Sequence, residues 1–306
     1  MKTNTSDPIR RKIEALGPRL SLPLVSKAMG IIEGEHPSHR RGSGYEFLDL
    51  RPYIIGDEAR SIDWKASARA GQPIVASQEH SSTSNVWMFI DSGIEMTGTT
   101  ISGESQLDVS LNALRMFAML SLKRGDNMNF IVGNEKTITR IPLTGGYLEC
   151  DSLLDDIAQQ NLTHRRDWNA LLDYALHIRD RYCLLVLATS EEAWDKDALD
   201  KLSVLAQTHP IVVVSVAVLN PFDTNTDFSV ITDGTSGRKL PAFMRNDTVS
   251  TEVHTTRQLA VDQLNHRLNV KGATLFHATS SESMFTTFIR RISIAQIHTR
   301  YGLYSK

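Results

Sequence analysis

Charged and aromatic side chains are concentrated between residues 42 and 69, in the run GSGYEFLDLRPYIIGDEARSIDWKASAR. Arginine offers a planar fork of donors that fits a carboxylate, so arginines and aspartates around a tryptophan predict a hydrogen-bonded ionic network. Such a network suits a structural or docking role, a recognition surface, or a catalytic carboxylate site. No nucleophile stands beside a base here, which favours the first two roles. The residues assigned to the network are Arg51, Tyr53, Asp57, Arg60, Asp63, Trp64 and Arg69.

Helix-breaking residues set the local structure of this segment. Pro52 and the pair Gly56-Asp57 interrupt helical continuity. The segment is therefore predicted to contain a short strand, a turn at residues 55–57, and a short helix or turn at residues 59–64.

A second candidate position is Asp91, which directly follows the apolar run VWMFI at residues 86–90. An apolar strand that ends in an aspartate, followed by a polar loop and a helix, is typical of open α/β sheets. Such sheets carry their binding sites at the carboxyl ends of the strands. We therefore expect Asp91 at that edge of a sheet.

Other catalytic patterns are missing from the sequence. It contains neither the phosphate-binding pattern G-x-x-x-x-G-K-[ST] nor the nucleophile pattern G-x-S-x-G. Cys150 and Cys183 form neither a disulfide framework nor a metal spacing, which suits a reduced, cytoplasmic setting. These absences favour a protein that is not an enzyme.

Composition bounds the remaining possibilities. The chain has 306 residues, of which 41% are hydrophobic and 22% are charged, with a net charge of −2. Such a chain fits one large domain and a smaller one, and its charge gives no general reason to bind nucleic acid. No apolar run reaches the roughly 18 residues of a membrane span. The first 45 residues carry excess positive charge, which leaves peripheral membrane contact open.

Apolar strands alternate with amphipathic helices after residue 85. This alternation predicts an α/β domain with a mostly parallel sheet covered by helices on both faces. The predicted strands are residues 86–90, 129–132, 137–141, 183–188, 211–219 and 274–277, and the predicted helices begin near residues 105, 148, 167, 193, 251 and 283. Residues 220–241 are rich in turn formers and predict a hairpin insert.

The run at residues 42–69 closely resembles the signature of the DUF58 family. In that family a von Willebrand factor A-like domain, which is Rossmann-like, follows the signature. The resemblance implies an N-terminal region at residues 1–85 and an A-like domain at residues 86–299. DUF58 proteins are associated with MoxR-type AAA+ ATPases, so the resemblance also implies such a partner.

In A-type domains the first strand ends in D-x-S-x-S, and its aspartate and both hydroxyls help to hold a divalent ion. A threonine and an aspartate from later loops complete the set, and oxygen ligands of this kind suit Mg²⁺. Here Asp91 matches, but Gly93 and Glu95 stand at the two serine positions. Thr144 is assigned to the threonine position, and the later aspartate is absent. The resemblance therefore implies a degenerate site of Asp91 and Thr144 at most, with weak or no Mg²⁺ binding.

The expected function is that of a non-catalytic adaptor for a MoxR-type ATPase. The expected contact is the carboxyl edge of the sheet, where Glu95, Glu191 and Glu192 would meet a basic patch on the ATPase. Two alternatives remain open at this point, a metal-dependent hydrolase and a metal-dependent adhesion-type binding module.

Overall fold

A computed structural model describes residues 8–17, 20, 44–54, 62–81, 84–180, 183–224, 230–234, 236–270 and 273–301. The chain divides into two compact units, residues 37–83 and the remainder. Helix α1 (Pro8–Leu16) belongs to the larger unit, although the sequence placed residues 1–85 together in one N-terminal region.

The smaller unit contains an antiparallel pair of strands and one short helix. Strand β1 (Gly44–Pro52) pairs with β2 (Ile74–Ser81), and α2 (Trp64–Ala70) lies between them in the chain. Of the short helix or turn expected at residues 59–64, the part at residues 59–61 lies outside the described residues. Ile62 pairs with Val75 and Asp63 is extended, and the described helix begins at Trp64. The turn expected at residues 55–57 lies outside the described residues.

The larger unit is built on a six-stranded sheet with the order β5-β4-β3-β6-β7-β8. All neighbouring strands are parallel except β5, which runs antiparallel to β4. The strands are β3 (Asn85–Asp91), β4 (Asn127–Gly133), β5 (Ile138–Pro142), β6 (Leu184–Ser190), β7 (Ile211–Val216) and β8 (Thr274–Ala278).

Helices cover both faces of this sheet, and each face has its own apolar cluster. Helices α1, α3, α4 and α8 pack on one face, and α5, α6 and α7 pack on the other. Their bounds are α3 (Gln106–Arg124), α4 (Tyr147–Ala158), α5 (Trp168–Leu176), α6 (Lys196–Leu205), α7 (Asp247–Val270) and α8 (Ser281–Tyr301). The predicted class, an α/β domain with a mostly parallel sheet covered by helices on both faces, is confirmed.

Helix α3 follows its sequence signals closely. The helix was expected to begin near residue 105, and the Ser105 hydroxyl caps it there by accepting a hydrogen bond from the backbone N–H of Asp108 at 3.0 Å. Gly125 ends the helix in the left-handed region with φ 87°. Between these ends Phe117 meets Phe276 and Phe288 edge-on, at centroid distances of 5.2 and 5.4 Å. This aromatic cluster fixes α3 and α8 on the sheet.

An ionic network within the larger unit holds α1 against α3 and α4. Arg10 pairs with Asp155 at 2.9 Å and also with Asp151. Arg115 of α3 pairs with Asp151 at 2.8 Å and with Asp155 at 2.6 Å. Because two arginines share two carboxylates, each charge in this largely buried group is compensated.

Two further features bear on the edge where sites are expected. Strand β7 ends at Val216 rather than at residue 219, because Leu219 N–H leaves the sheet and donates to Thr99 O at 2.8 Å. Within the expected insert, Thr232 pairs with Lys239 in a small hairpin.

Across the described ranges no helix combines the length and apolar character that a bilayer crossing needs.

Candidate functional site

Four polar side chains lie in a row at the carboxyl ends of neighbouring strands, on one face of the sheet. Asp91 on β3 lies beside Thr189 on β6, which pairs with Ser215 on β7, and Ser215 pairs with His277 on β8. The residues two positions earlier on these strands are Phe89, Leu187, Val213 and Leu275, and all four belong to one apolar cluster. Side chains alternate between faces along a strand, so the four polar residues share that face. Asp91 therefore lies at the carboxyl edge, as the sequence predicted.

Asp91 is completely buried and has three polar partners. Its carboxylate accepts hydrogen bonds from Gly93 N–H at 2.9 Å and from the Thr189 hydroxyl at 2.7 Å. The guanidinium of Arg166 lies 2.8 Å from the same carboxylate, measured from Nε to Oδ2. Burial raises the pKa of Asp91, and the charge of Arg166 and both hydrogen bonds oppose that rise.

Arg166 reaches Asp91 because the loop between α4 and α5 returns to this edge of the sheet. Ile94 N–H donates to His164 O at 2.7 Å, and Glu135 N–H donates to Arg165 O at 2.8 Å. The backbone N–H of Arg166 donates to the Glu95 carboxylate at 2.9 Å. The Arg166 side chain is only 12% exposed. A largely buried guanidinium thus stands beside Asp91, where a bound cation would be expected.

Gly93 makes this close approach possible. A Cβ atom at Gly93 would lie 2.7 Å from both Cα and N of Arg166, which is closer than atoms of neighbouring residues can approach. A serine at this position would displace the loop that carries Arg166. Gly93 and Glu95 are the two residues that depart from D-x-S-x-S, and both therefore contact the loop that carries Arg166.

The assignment of Thr144 to this site is wrong. Because β5 runs antiparallel, it carries the chain back to the opposite edge, where Leu143 N–H donates to Met128 O near the start of β4. Asp91 instead pairs with Gly133, at the end of β4. About 3.3 Å per residue along β4 separates Thr144 from Asp91 by roughly 15–20 Å. Among the residues that the structure describes, no group of three or more His, Cys, Asp or Glu side chains is arranged to hold a metal ion.

The three acidic residues expected to face a partner differ in exposure. Glu95 bonds Arg166 N–H and lies 3.7 Å from Arg165. The Glu191 side chain is only 7% exposed, so it is a buried residue rather than one at the rim. The Glu192 side chain is 54% exposed and pairs with Arg257 at 3.1 Å. Only Glu192 has the exposure that the expectation required of all three.

Glu191 is the centre of a second polar group at the same edge. Its carboxylate lies 3.1 Å from His277 Nε2 and 3.6 Å from Arg257 Nε. Serine, histidine and glutamate therefore lie side by side as Ser215, His277 and Glu191. However, Ser215 is completely buried, and its hydroxyl makes no hydrogen bond to any residue of the described structure. A nucleophile without a bonded base and without access is not activated, so Ser215 lacks the arrangement of a catalytic serine.

The signature residues take a different arrangement from a network packed around a tryptophan. Asp63 caps α2, accepting hydrogen bonds from the backbone N–H groups of Lys65 and Ala66 at 2.9 Å each. Trp64 is 71% exposed, and Tyr53 and Arg69 are exposed too. The backbone of Arg51 pairs with Val75. Asp57 and Arg60 lie outside the described residues, so their part in the network remains a prediction.

Sequence reasoning missed Arg166, Arg257 and His277. Arg166 belongs to the polar run T-H-R-R-D at residues 163–167, directly before the cap Asp167 of α5. For Arg166, the only signal in the sequence was a pair of adjacent arginines directly before a helix, in a loop that lies at the carboxyl edge of the sheet.

Comparison with known proteins places these features in a family. The family model described as "Protein of unknown function DUF58" matches residues 49–257. Uncharacterized proteins of Mycobacterium bovis and of two strains of Mycobacterium tuberculosis are each 25% identical over 215 residues, which cover 69% of this chain and 67% of theirs.

A solved structure gives a weaker match. It is the crystal structure of an aerotolerance-related membrane protein from Bacteroides fragilis carrying multiple mutations to serine, with a TM-score of 0.42 and 11% identity. The match covers 69% of this chain and 98% of that one. The family match spans more than half of the chain, from the signature into α7. The chain belongs to the DUF58 family.

Proposed function

We propose that this protein is a non-catalytic adaptor that binds a MoxR-type AAA+ ATPase. The DUF58 signature supports this partner through the resemblance described above. The chain has no phosphate-binding loop of its own, so any work driven by ATP hydrolysis belongs to the partner.

The observation that carries the proposal is the exposure of large side chains within the signature. Trp64 is 71% exposed and Ile54 is 63% exposed, and Tyr53 lies beside Ile54 in the chain. Tryptophan and tyrosine dominate the binding energy of many protein interfaces, and exposed apolar side chains grouped together often mark such interfaces.

Local structure holds Trp64 in place at the first position of α2. Asp63 fixes the start of the helix, and Gly71, with φ 68°, ends it. The Ser67 hydroxyl accepts a hydrogen bond from Ile74 N–H at 2.8 Å, which joins the helix to β2. A side chain on a fixed element loses little conformational freedom on binding, which suits a recognition residue.

The two metal-dependent alternatives have less support. A hydrolase or an adhesion-type module needs a cation at Asp91, and Arg166 already supplies a positive charge there. Placing Mg²⁺ at the same carboxylate requires Arg166 to move away from a buried position. Metal analysis of gently purified protein, together with a calorimetric Mg²⁺ titration, tests these alternatives. A stoichiometric ion lost in Asp91→Ala would favour them over the adaptor.

The adaptor proposal is tested by a pull-down with the cognate ATPase, in the presence of ATP, of ADP, and of no nucleotide. Trp64→Ala should weaken binding about 30-fold, as expected when a hot-spot residue contributing about 2 kcal/mol is truncated. Phe243→Ala is the matched control, because Phe243 is 84% exposed but lies outside the signature. If wild-type protein fails to bind in every nucleotide state, the adaptor function is wrong. If Trp64→Ala and Phe243→Ala behave alike, the contact is not at Trp64.

A further inference from the structure

A cavity of about 640 Å³ opens at the carboxyl ends of β6, β7 and β8, with α7 as one wall. Glu191 follows β6, Val218 and Leu219 follow β7, and Thr279 follows β8. Neither Asp91 nor Arg166 lines this space. The cavity is therefore distinct from the Asp91 ion pair, although both lie at the same edge of the sheet.

The carboxylate of Glu191 is the buried charge in this cavity, and its two oxygens are satisfied unequally. His277 Nε2 lies 3.1 Å from Oε2. The other oxygen, Oε1, receives a long hydrogen bond of 3.4 Å from Val218 N–H. A carboxylate oxygen commonly accepts two shorter bonds, so Oε1 has capacity for another donor.

Arg257 does not fill that capacity, because its donors are directed elsewhere. Its Nη1 donates to Val218 O at 2.9 Å, and its Nη2 donates to Glu192 at 3.1 Å. Only Nε faces Glu191, at 3.6 Å from Oε1, which is beyond hydrogen-bonding distance. A donor from another molecule can therefore reach Oε1 without displacing Arg257 from its bonds to the main chain.

The charge and the walls of the cavity define what such a donor must be. Glu191 shares the single positive charge of Arg257 with Glu192, which pairs with Arg257 at 3.1 Å outside the cavity, so this group of three carries a net negative charge when His277 is neutral. Ile101, Leu219 and Val261 supply apolar surface to the same cavity. A buried carboxylate in a partly apolar cavity suits a cation on an aliphatic stem, and it disfavours an anion.

We propose that this cavity binds a lysine or arginine side chain of a partner protein. The alkyl stem packs against Ile101, Leu219 and Val261, and the terminal N–H group donates to Oε1 of Glu191. The identity of the partner rests on the function proposed above, whereas the chemistry of the cavity stands on its own contacts. This contact places one buried acidic anchor where the sequence suggested three exposed acidic side chains.

The test uses blocked single amino acids as probes and wild-type protein. Backbone amide NMR signals of Val218, Leu219 and Thr279 are followed while N-acetyl-lysine methylamide is added. We expect saturable shifts with the lysine probe. The neutral probes N-acetyl-norleucine methylamide and its ε-acetyl-lysine counterpart should bind at least about tenfold more weakly. Equal shifts with charged and neutral probes, or no shifts with the lysine probe, would overturn the proposal.

Two isosteric variants locate the contact. Glu191→Gln should weaken lysine binding by at least about tenfold, because the amide keeps the shape but loses the charge. Glu252→Gln is the control, since Glu252 on α7 is exposed and does not line the cavity, and it should change affinity by less than about twofold. Equal effects of the two substitutions would show attraction to the surface charge rather than binding in the cavity. The probe comparison on wild-type protein remains decisive if Glu191→Gln fails to fold.

A pull-down with the cognate ATPase separates this proposal from the adaptor function. Lysine-probe binding without ATPase binding keeps the cavity site and removes the adaptor function. ATPase binding that is insensitive to Glu191→Gln, with no lysine-probe binding, removes the cavity site and keeps the adaptor.

Discussion

Replacing Arg166 with methionine tests the ion pair that closes the Asp91 site. Methionine keeps an apolar stem of similar length but leaves the Asp91 carboxylate buried without a positive charge. Removing one partner of a buried pair costs about 3–5 kcal/mol of unfolding free energy. The Asp91 side chain can also avoid this cost by taking up a proton and becoming neutral. For an aspartate with the ordinary pKa of about 3.9, protonation at pH 7 costs about 4 kcal/mol. We therefore expect Arg166→Met to lose about 3–4 kcal/mol at pH 7.

The loss should depend on pH in a defined direction. Burial already raises the pKa of Asp91, and removing Arg166 removes the charge that opposes this rise. A raised pKa in the folded state means that the stability linked to this group is present at low pH and is lost as the pH rises. Protonating the same carboxylate at pH 5 costs only about 1.5 kcal/mol, so the difference between variant and wild type should shrink by more than half.

Urea denaturation at pH 5 and pH 7 measures both effects. Arg165→Met is the matched control, because Arg165 is 70% exposed and lies 3.7 Å from Glu95, so its loss should cost less than about 1 kcal/mol. Adding Asp91→Asn to Arg166→Met should restore part of the stability by removing the stranded charge. If Arg166→Met behaves like Arg165→Met at both pH values, the ion pair does not stabilise the fold and our reasoning about this site is refuted.

Three shorter predictions follow from other parts of the structure. Gly93→Ser should lower the melting temperature and should not create a Mg²⁺ site by calorimetry, because its Cβ would lie 2.7 Å from the backbone of Arg166; tight Mg²⁺ binding by this variant would contradict us. Asp63→Ala should cost about 0.5–2 kcal/mol in urea denaturation, as for a helix cap, and a loss of about 3–5 kcal/mol would instead indicate a buried ion pair. The thiol of Cys150 should resist a disulfide reagent at pH 8 until urea unfolds the protein, because the residue is buried and burial raises its pKa to about 12; rapid labelling of the folded protein would contradict this.

The fold followed from local signals in the sequence. Continuous apolar runs predicted the strands, and the ends of α3 lie at a serine cap and a terminal glycine, which are signals of the same local kind. These features are recognisable because they depend on residues that are neighbours in the chain. The position of Asp91 at the carboxyl edge follows from the same alternation of strands and helices.

Contacts between distant segments could not be predicted in this way. Thr144 was assigned by chain order, and the antiparallel direction of β5 moved it to the opposite edge of the sheet. Glu191 directly follows a strand, as an exposed loop residue does, but His277 and Arg257 enclose it from two other elements. Burial of a loop residue depends on what packs over it, and this information lies elsewhere in the chain.

The two departures from the D-x-S-x-S pattern of A-type domains, at Gly93 and Glu95, form one coordinated change rather than two independent losses. Gly93 leaves the space in which the backbone of Arg166 lies, and Glu95 accepts the N–H of that same residue. The guanidinium that this places beside Asp91 then compensates the charge of the buried carboxylate. A domain with a simply decayed metal site would retain an uncompensated buried aspartate, which is strongly unfavourable. The edge of this sheet is therefore built around the ion pair of Arg166 and Asp91, and the cavity that we propose for a partner's cation lies beside it, at Glu191.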